Sequence, residues 1–233
     1  MTLLEATGLS LPHRLRDSAL TLESGTLTCL VGPNGSGKTS LLHAIAGIGS
    51  PAGAIRIDGV DPRRLGPMQR QKLLTFLPAS RDIKWPLSGL DLIALGDGGP
   101  AAIDRLLDDL DLRGMAERRV DRMSTGERSR VLIARALAAE PRLMLLDEPV
   151  ANLDPLWQLR LMDYLRGLAR DKGRAVLLAV HDLELARLYA DRLVIMDGGR
   201  VAADGDPSNL LDGPHIPAIF GIERHEGRWR PAL

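Results

Sequence analysis

The 233-residue chain holds a single cysteine, Cys29. One thiol forms no internal disulfide, so no covalent staple is available to the fold. Cys29 lies in an apolar run and reads as a small core residue. Neither sign of charge is in excess: 30 Lys and Arg balance 30 Asp and Glu. A global field that gathers nucleic acid or anionic membrane is thereby excluded, and no nucleic-acid partner is expected. The short basic cluster Arg118-Arg119 has Glu117 and Asp121 beside it and reads as a solvated helix face. No apolar stretch approaches the roughly 20 residues that span a bilayer. The longest, residues 143–146 and 175–180, read as short buried strands. The first residues lack a basic region followed by an apolar core and a small-residue cleavage site, so no secretory signal is read and a cytoplasmic location is expected. His13, His43, His215 and His225 have no metal-ligand spacing and read as structural or exposed. Internal repeats and low-complexity segments are also missing.

What is present is apolar content, 45% of the chain, enough for a sizeable core. Length fits one large α/β domain or a core with one insertion. Strand-like runs recur at residues 3–6, 26–31, 54–57, 73–77, 143–147, 175–180 and 193–196. Helical runs occupy 40–48, 128–139, 155–170 and 183–190. Near-continuous apolar strands separated by helices predict a parallel sheet covered on both faces. Asp154 before Pro155 is a helix start. Asp197-Gly198-Gly199 predicts a hairpin turn, and so antiparallel strands at an edge. Residues 79–123 differ in texture: Pro86, Gly96, Gly98, Gly99 and Pro100 interrupt them, leaving helical patches at 89–95 and 101–112. The expectation is a helical subdomain, 79–123, inserted into a core made of 1–78 and 124–233.

Gly32-Pro33-Asn34-Gly35-Ser36-Gly37-Lys38-Thr39 follows one strand-like run and opens a helical one at Ser40. This is a phosphate loop in the context it needs. Glycines permit a tight turn whose N–H groups converge, and the helix dipole points its positive end at the same place. Lys38 reaches the β- and γ-phosphates, and Thr39 offers a hydroxyl to Mg²⁺. The implied ligand is a nucleoside triphosphate. Residues 143–148 run four apolar side chains into Asp147 and Glu148: a strand-end Asp suits Mg²⁺, and the following Glu suits activation of a water. Ser124 and Glu127 have capping-box spacing before a helix, and Ser124 and Gly126 at a helix N-terminus form a second anion site or an ordinary cap. His181 follows an apolar strand and would stand at the carboxyl edge of the sheet, able to donate to a γ-phosphate.

Order and spacing of these elements resemble the ATP-binding cassette, the ATPase subunit of ABC transporters, over about residues 1–213. Phosphate loop, signature (123–127), acidic strand end, D-loop (151–154) and switch histidine (His181) occur in the family's order. The resemblance implies a P-loop, RecA-like α/β fold with an antiparallel edge and a helical insertion. It implies ATP and Mg²⁺ as ligands, with Lys38, Glu148 and His181 catalytic and Thr39 and Asp147 at the metal. Nucleotide contacts are expected from residues 32–40 and, across a head-to-tail dimer, from Ser124, Gly126 and Glu127 of a second copy, with Asp154 linking the two sites. Trp85-Pro86-Leu87, the run Asp91 to Gly96 and Phe220-Gly221 resemble importers of iron-siderophore, haem and cobalamin. Permease subunits, an indirectly engaged solute-binding protein and the cytoplasmic face of the bacterial inner membrane follow from that. There are three departures. Thr125 stands where the family has the first signature glycine. Ala79 replaces the Gln after Leu77-Pro78, leaving Ser80 or a water to substitute. No aromatic precedes the phosphate loop for adenine stacking, only Pro12, His13 and Arg14. Two other readings stay open: a soluble cassette ATPase on DNA or ribosome, and a non-hydrolytic ATP-sensing module. Zero net charge and missing heptads oppose the first; Glu148 and His181 oppose the second.

Overall fold

The computed structural model describes residues 1–81 and 85–232. Residues 82–84, within the expected helical insertion, lie outside the described residues. The chain opens with strands β1 (Thr2–Leu11), β2 (Leu15–Glu23) and β3 (Leu27–Val31), then helix α1 (Lys38–Ile45) and β4 (Ala52–Ile57). Next come α2 (Pro67–Leu73), β5 (Leu74–Leu77), α3 (Gly89–Ala94), α4 (Pro100–Asp109) and α5 (Thr125–Leu137). Alternation follows with β6 (Leu143–Asp147), α6 (Pro155–Lys172), β7 (Ala175–Ala179), α7 (Leu183–Tyr189), β8 (Arg192–Asp197) and β9 (Arg200–Gly205). The C-terminal part adds α8 (Pro207–Leu211), α9 (His215–Phe220), β10 (Ile222–His225) and β11 (Arg228–Pro231).

The central sheet has the order β5-β6-β7-β3-β8-β9. Its first five strands are parallel and β9 runs antiparallel to β8. Every residue of β3, β6 and β7 is buried, as strands covered on both faces require. Because side chains alternate, each strand feeds two cores. Cys29, Val31, Met144, Leu146, Val176 and Leu178 pack with α3 to α7. Leu30, Leu143, Leu145, Leu177 and Ala179 pack instead with α1 and the antiparallel sheet β2-β1-β4. Each fully buried leucine there contributes about 1.5–3 kcal/mol of transfer free energy.

Local chemistry accounts for the element ends. Asp197 pairs with Arg200 across Gly198 and Gly199, whose φ values of 51° and 80° make the two-residue turn that right-handed strand twist favours. Asp154 caps α6 by accepting from Trp157 N–H at 3.0 Å, and Gly173, at φ 61°, ends it. Some expected bounds are corrected. α1 stops at Ile45 rather than residue 48, because Gly47 turns left-handed (φ 70°) and Ile48 N–H closes on His43 O at 2.8 Å. α4 starts at Pro100 and stops at Asp109 rather than 112, with Asp111 at φ 50°. Strand β2, helices α2, α8 and α9, and the β10–β11 hairpin were not expected. Between residues 79 and 123 the described residues form α3, α4 and two short 3-10 turns, with no strand of a sheet. Leu92, Ile93, Leu106 and Leu107 of these helices share a core with Ile133 and Leu137 of α5.

Candidate functional site

Three adjacent parallel strands, β6, β7 and β3, end at one edge. Their register aligns Asp147 with Ala179 and Ala179 with Leu30. The phosphate loop leaves β3, Asp147 ends β6, and His181 follows β7, so pairing alone brings them together. Glu148 N–H donates to Ala179 O at 3.1 Å and Val180 N–H to Leu30 O at 3.1 Å, extending the ladder past the strand ends.

At that edge an open cavity of about 360 Å³ is lined by His13, Arg14, Asn34 to Ser40, and Glu148. Gly37 enters α1 at φ 103°, and a Cβ there would lie 3.1 Å from Gly199 Cα and 3.3 Å from Met196 Cε. A Cβ on Gly32 would lie 2.5 Å from Met196 O. Only glycine fits both places. No side chain caps the start of α1, which leaves its first N–H groups aimed at the cavity. His13 and Arg14 stand on the rim, where the sequence offered them in place of an aromatic.

Lys38 is buried and donates through Nζ to Gly32 O at 2.7 Å and Pro33 O at 3.3 Å. Burial pushes its pKa down, while the Glu148 and Asp147 charges push it back up. Thr39 Oγ1 donates to Asp147 Oδ2 at 2.8 Å. Asp147 is 1% exposed, and burial raises its carboxyl above the ordinary range against the Thr39 hydrogen bond, which lowers it. Asp147 Oδ1 and Ser36 Oγ are buried without hydrogen-bond partners. Such orphaned oxygens need an explanation, and a hydrated Mg²⁺ carrying phosphates provides one. Among the described residues no cluster of three or more His, Cys, Asp or Glu is built to hold a metal unaided. One hydroxyl and one carboxylate therefore fit Mg²⁺ that takes its remaining oxygens from phosphate and water.

Glu148 sits at φ 49°, a left-handed backbone for a residue that rarely adopts it. Its Oε1 lies 2.6 Å from His181 Nε2. The guanidinium of Arg81, 5% exposed, reaches beneath this turn: Nη2 donates to Asp147 O at 3.3 Å and to Glu148 O at 3.2 Å. Sequence reasoning missed Arg81. Its only signal was a place two residues beyond Ala79.

Ser124, Gly126 and Glu127 do not line this cavity. Ser124 Oγ accepts from Glu127 N–H at 3.2 Å, and the Glu127 carboxylate accepts from Ser124 N–H at 2.8 Å, a complete capping box at the start of α5. The Ser124 N–H, above all, and Arg118, paired with Glu127 at 3.0 Å, hold the Glu127 carboxyl below the usual range. Ser124 is exposed. Gly126 adjoins the 151–154 loop, where a Cβ would meet Asn152 O at 3.4 Å. Arg118 and Arg119 are thus ion-paired, Arg119 with Asp121 at 2.6 Å, and belong to turns rather than to a helix face. His43 stacks edge-on against Phe76 with centroids 5.0 Å apart, a packing role.

Comparison with known proteins places the chain in a family. The family model described as ABC transporter matches residues 15–151. The hemin import ATP-binding protein HmuV of Rhizobium meliloti (strain 1021) is 38% identical over 224 residues, covering 89% of this chain and 85% of that protein. The cobalamin import ATP-binding protein BtuD of Halobacterium salinarum (strain ATCC 29341 / DSM 671 / R1) is 35% identical, covering 93% of this chain and 58% of that protein. A solved ATP binding subunit of an ABC transporter superposes with a TM-score of 0.80 at 29% identity, covering 94% of this chain and 93% of that one. The P-loop α/β fold expected from sequence is the fold observed, and no helix among the described residues is long and apolar enough to cross a membrane. The chain belongs to the ABC transporter family, as one of its ATP-binding, ATP-hydrolysing subunits.

Proposed function

We propose that this chain powers import of an iron-siderophore, haem or cobalamin type of solute by closing on ATP as a head-to-tail homodimer. The observation that carries the reading is the Glu148–His181 pair, 2.6 Å apart, beside the phosphate-loop cavity. Residues 32–40 bind the phosphates through loop N–H groups and Lys38, which on ATP arrival exchanges its carbonyl partners for phosphate oxygens. Thr39 and Asp147 would hold Mg²⁺. When bound, Mg²⁺ neutralises charge on the β- and γ-phosphates. Glu148 takes a proton from a water whose oxygen bonds the γ-phosphorus as the bond to the β–γ bridging oxygen breaks. His181 Nε2 holds Glu148 before ATP arrives and exchanges that partner for a γ-phosphate oxygen as the site closes.

One chain surrounds the γ-phosphate on one side only, which leaves transition-state charge poorly stabilised. Ser124 and Gly126 of a second copy complete the other side, and closure excludes water. Exposure of the Ser124 end of α5, away from the chain's own cavity, supports this assignment in trans. Glu127 serves the cap that presents Ser124 rather than the nucleotide itself. Asp154 and its neighbours, next to Gly126, link the two sites. Residues 79–123 act as the helical subdomain, and 1–78 with 124–233 as the core.

Permease subunits dock in a groove of about 390 Å³ between core and helices, lined by Ile48, Phe76, Leu95, Arg135 and Ala139 among others. Ile48 and Leu95 are exposed there, and Trp85, 59% exposed in the helical subdomain, is assigned to the docking surface with Pro86 and Leu87. A solute-binding protein engages only through the permease, and the working place is the cytoplasmic face of a bacterial inner membrane. The reading is tested with Glu148→Gln: ATP binding is retained, turnover falls to a small residual rate and an ATP-bound dimer accumulates. Wild-type turnover in that variant removes Glu148 from the base role.

A further inference from the structure

We propose that Arg81 is a positioning residue for Glu148, bracing the turn that aims the catalytic carboxylate. The inference rests on the reading of Glu148 as the base. Two consecutive carbonyls, those of Asp147 and Glu148, converge within 3.3 Å of one guanidinium nitrogen, Arg81 Nη2. They converge because Glu148 is left-handed (φ 49°) and bends the chain sharply at the end of β6. A left-handed non-glycine is strained and persists only where its surroundings over-determine it. On one side the turn is held by Glu148 N–H on Ala179 O at 3.1 Å. On the carbonyl side Glu148 O also accepts from Ala151 N–H at 3.3 Å, and Arg81 is the group that holds both carbonyls together.

A guanidinium suits that task. It is planar and always charged, and Nη2 alone carries two N–H donors, so one nitrogen meets both carbonyls while Nη1 faces Ser80 O. Burying it at 5% exposure is costly unless the dipoles around it are aligned, and both carbonyl dipoles point at it. The Asp147 and Glu148 charges sustain its ionisation against burial. Nη1 also reaches Ser80 O at 3.5 Å, which ties the backbone after Ala79 to the same point. Ala79 has a methyl group only, so it reaches nothing polar in the site. Arg81 thereby makes the connection between the segment that follows β5 and the base, through backbone rather than through the nucleotide.

The test compares Arg81→Ala, Arg81→Lys, Glu148→Gln and the Arg81→Ala/Glu148→Gln double variant in the full chain. ATP affinity, thermal midpoint and turnover at saturating ATP are measured for each. Arg81→Ala is expected to keep ATP affinity within about twofold while kcat falls about 10- to 100-fold, the scale of a base displaced by an ångström. Arg81→Lys recovers part of that loss, since its ammonium keeps charge and donors but has a shorter reach and no planar group to fix its place. The double variant is no slower than Glu148→Gln, because the lost aim has nothing left to aim. Wild-type kcat in Arg81→Ala, or a double variant slower than Glu148→Gln by the full Arg81→Ala factor, overturns the inference. If Arg81→Ala does not fold, Arg81→Lys decides: reduced kcat at unchanged ATP affinity supports it, and unchanged kcat overturns it. Wild-type turnover in Glu148→Gln instead sinks the base reading, whatever Arg81 does.

Discussion

Ser124 carries two separable duties, and a pair of substitutions takes them apart. Its hydroxyl caps α5 within the chain, accepting from Glu127 N–H at 3.2 Å. Removing a cap of this kind costs about 1 kcal/mol, so Ser124→Ala confounds helix stability with function. Asn and Asp cap as well as Ser, so Ser124→Asn and Ser124→Asp both keep the helix. Asp adds a negative charge that the helix dipole favours by about 0.3–1 kcal/mol. Repulsion from Glu127 opposes this gain and is muted by the Arg118 partner at 3.0 Å. Thermal midpoints of the two variants are therefore expected to lie close together. Facing a partner's γ-phosphate, the same charge acts differently. At about 4 Å and an effective dielectric near 20, two unit charges repel by about 4 kcal/mol, roughly a thousandfold in rate or in dimer closure. The assay is ATP turnover together with gel filtration of the ATP-trapped dimer in a Glu148→Gln background. Ser124→Asn retains a measurable dimer and Ser124→Asp loses it at equal stability. Equal turnover and equal dimer in both variants would refute placement of Ser124 against a second copy's phosphate.

Two further outcomes follow from packing. Burial and the nearby Asp191 charge raise the Cys29 thiol far above its ordinary pKa, so thiol reagents at pH 8 are expected to label it only as the protein unfolds; rapid labelling of the native chain contradicts a fully buried β3. Arg130 donates to Leu110 O at 2.8 Å and Asp111 O at 2.9 Å and lies 4.2 Å over the Trp157 ring. Arg130→Met leaves both carbonyls without that donor and is expected to cost about 2–4 kcal/mol, read as a lower urea midpoint. A midpoint within error of wild type would show that water replaces the guanidinium.

Legibility in the sequence tracked how a segment meets the core. β6 and β7 are buried at all positions and stand out as unbroken apolar runs. β2 buries only every second or third residue, and Arg16, Asp17 and Ser18 dilute its signal. α2 buries none of its residues, so it has no apolar period to read. α8, α9, β10 and β11 have four to six residues each, too few for a period to emerge. In the site, the phosphate loop was legible because its chemistry is contiguous. Thr39 and Asp147, 108 residues apart, were joined through motif order and meet at 2.8 Å. Arg81 was not legible, since an arginine after Pro78-Ala79-Ser80 reads as solvated until a turn of the chain elsewhere draws it inward. Glu127 was expected to touch nucleotide, and its spacing to Ser124 already contained the cap that occupies it.

Helix α5 begins at the exposed Ser124 cap, and the residues of its C-terminal end, Arg135 and Ala136, line the groove beside Ile48 and Leu95. Its 13 residues make a stiff rod of about 20 Å, with Ile133 and Leu137 of its C-terminal half in one core with α3 and α4. A rod held in this way does not absorb a push at one tip; it passes the displacement to the other. Whatever pulls on the serine end therefore tilts the far wall of the groove, and a load seated there resists the pull in turn.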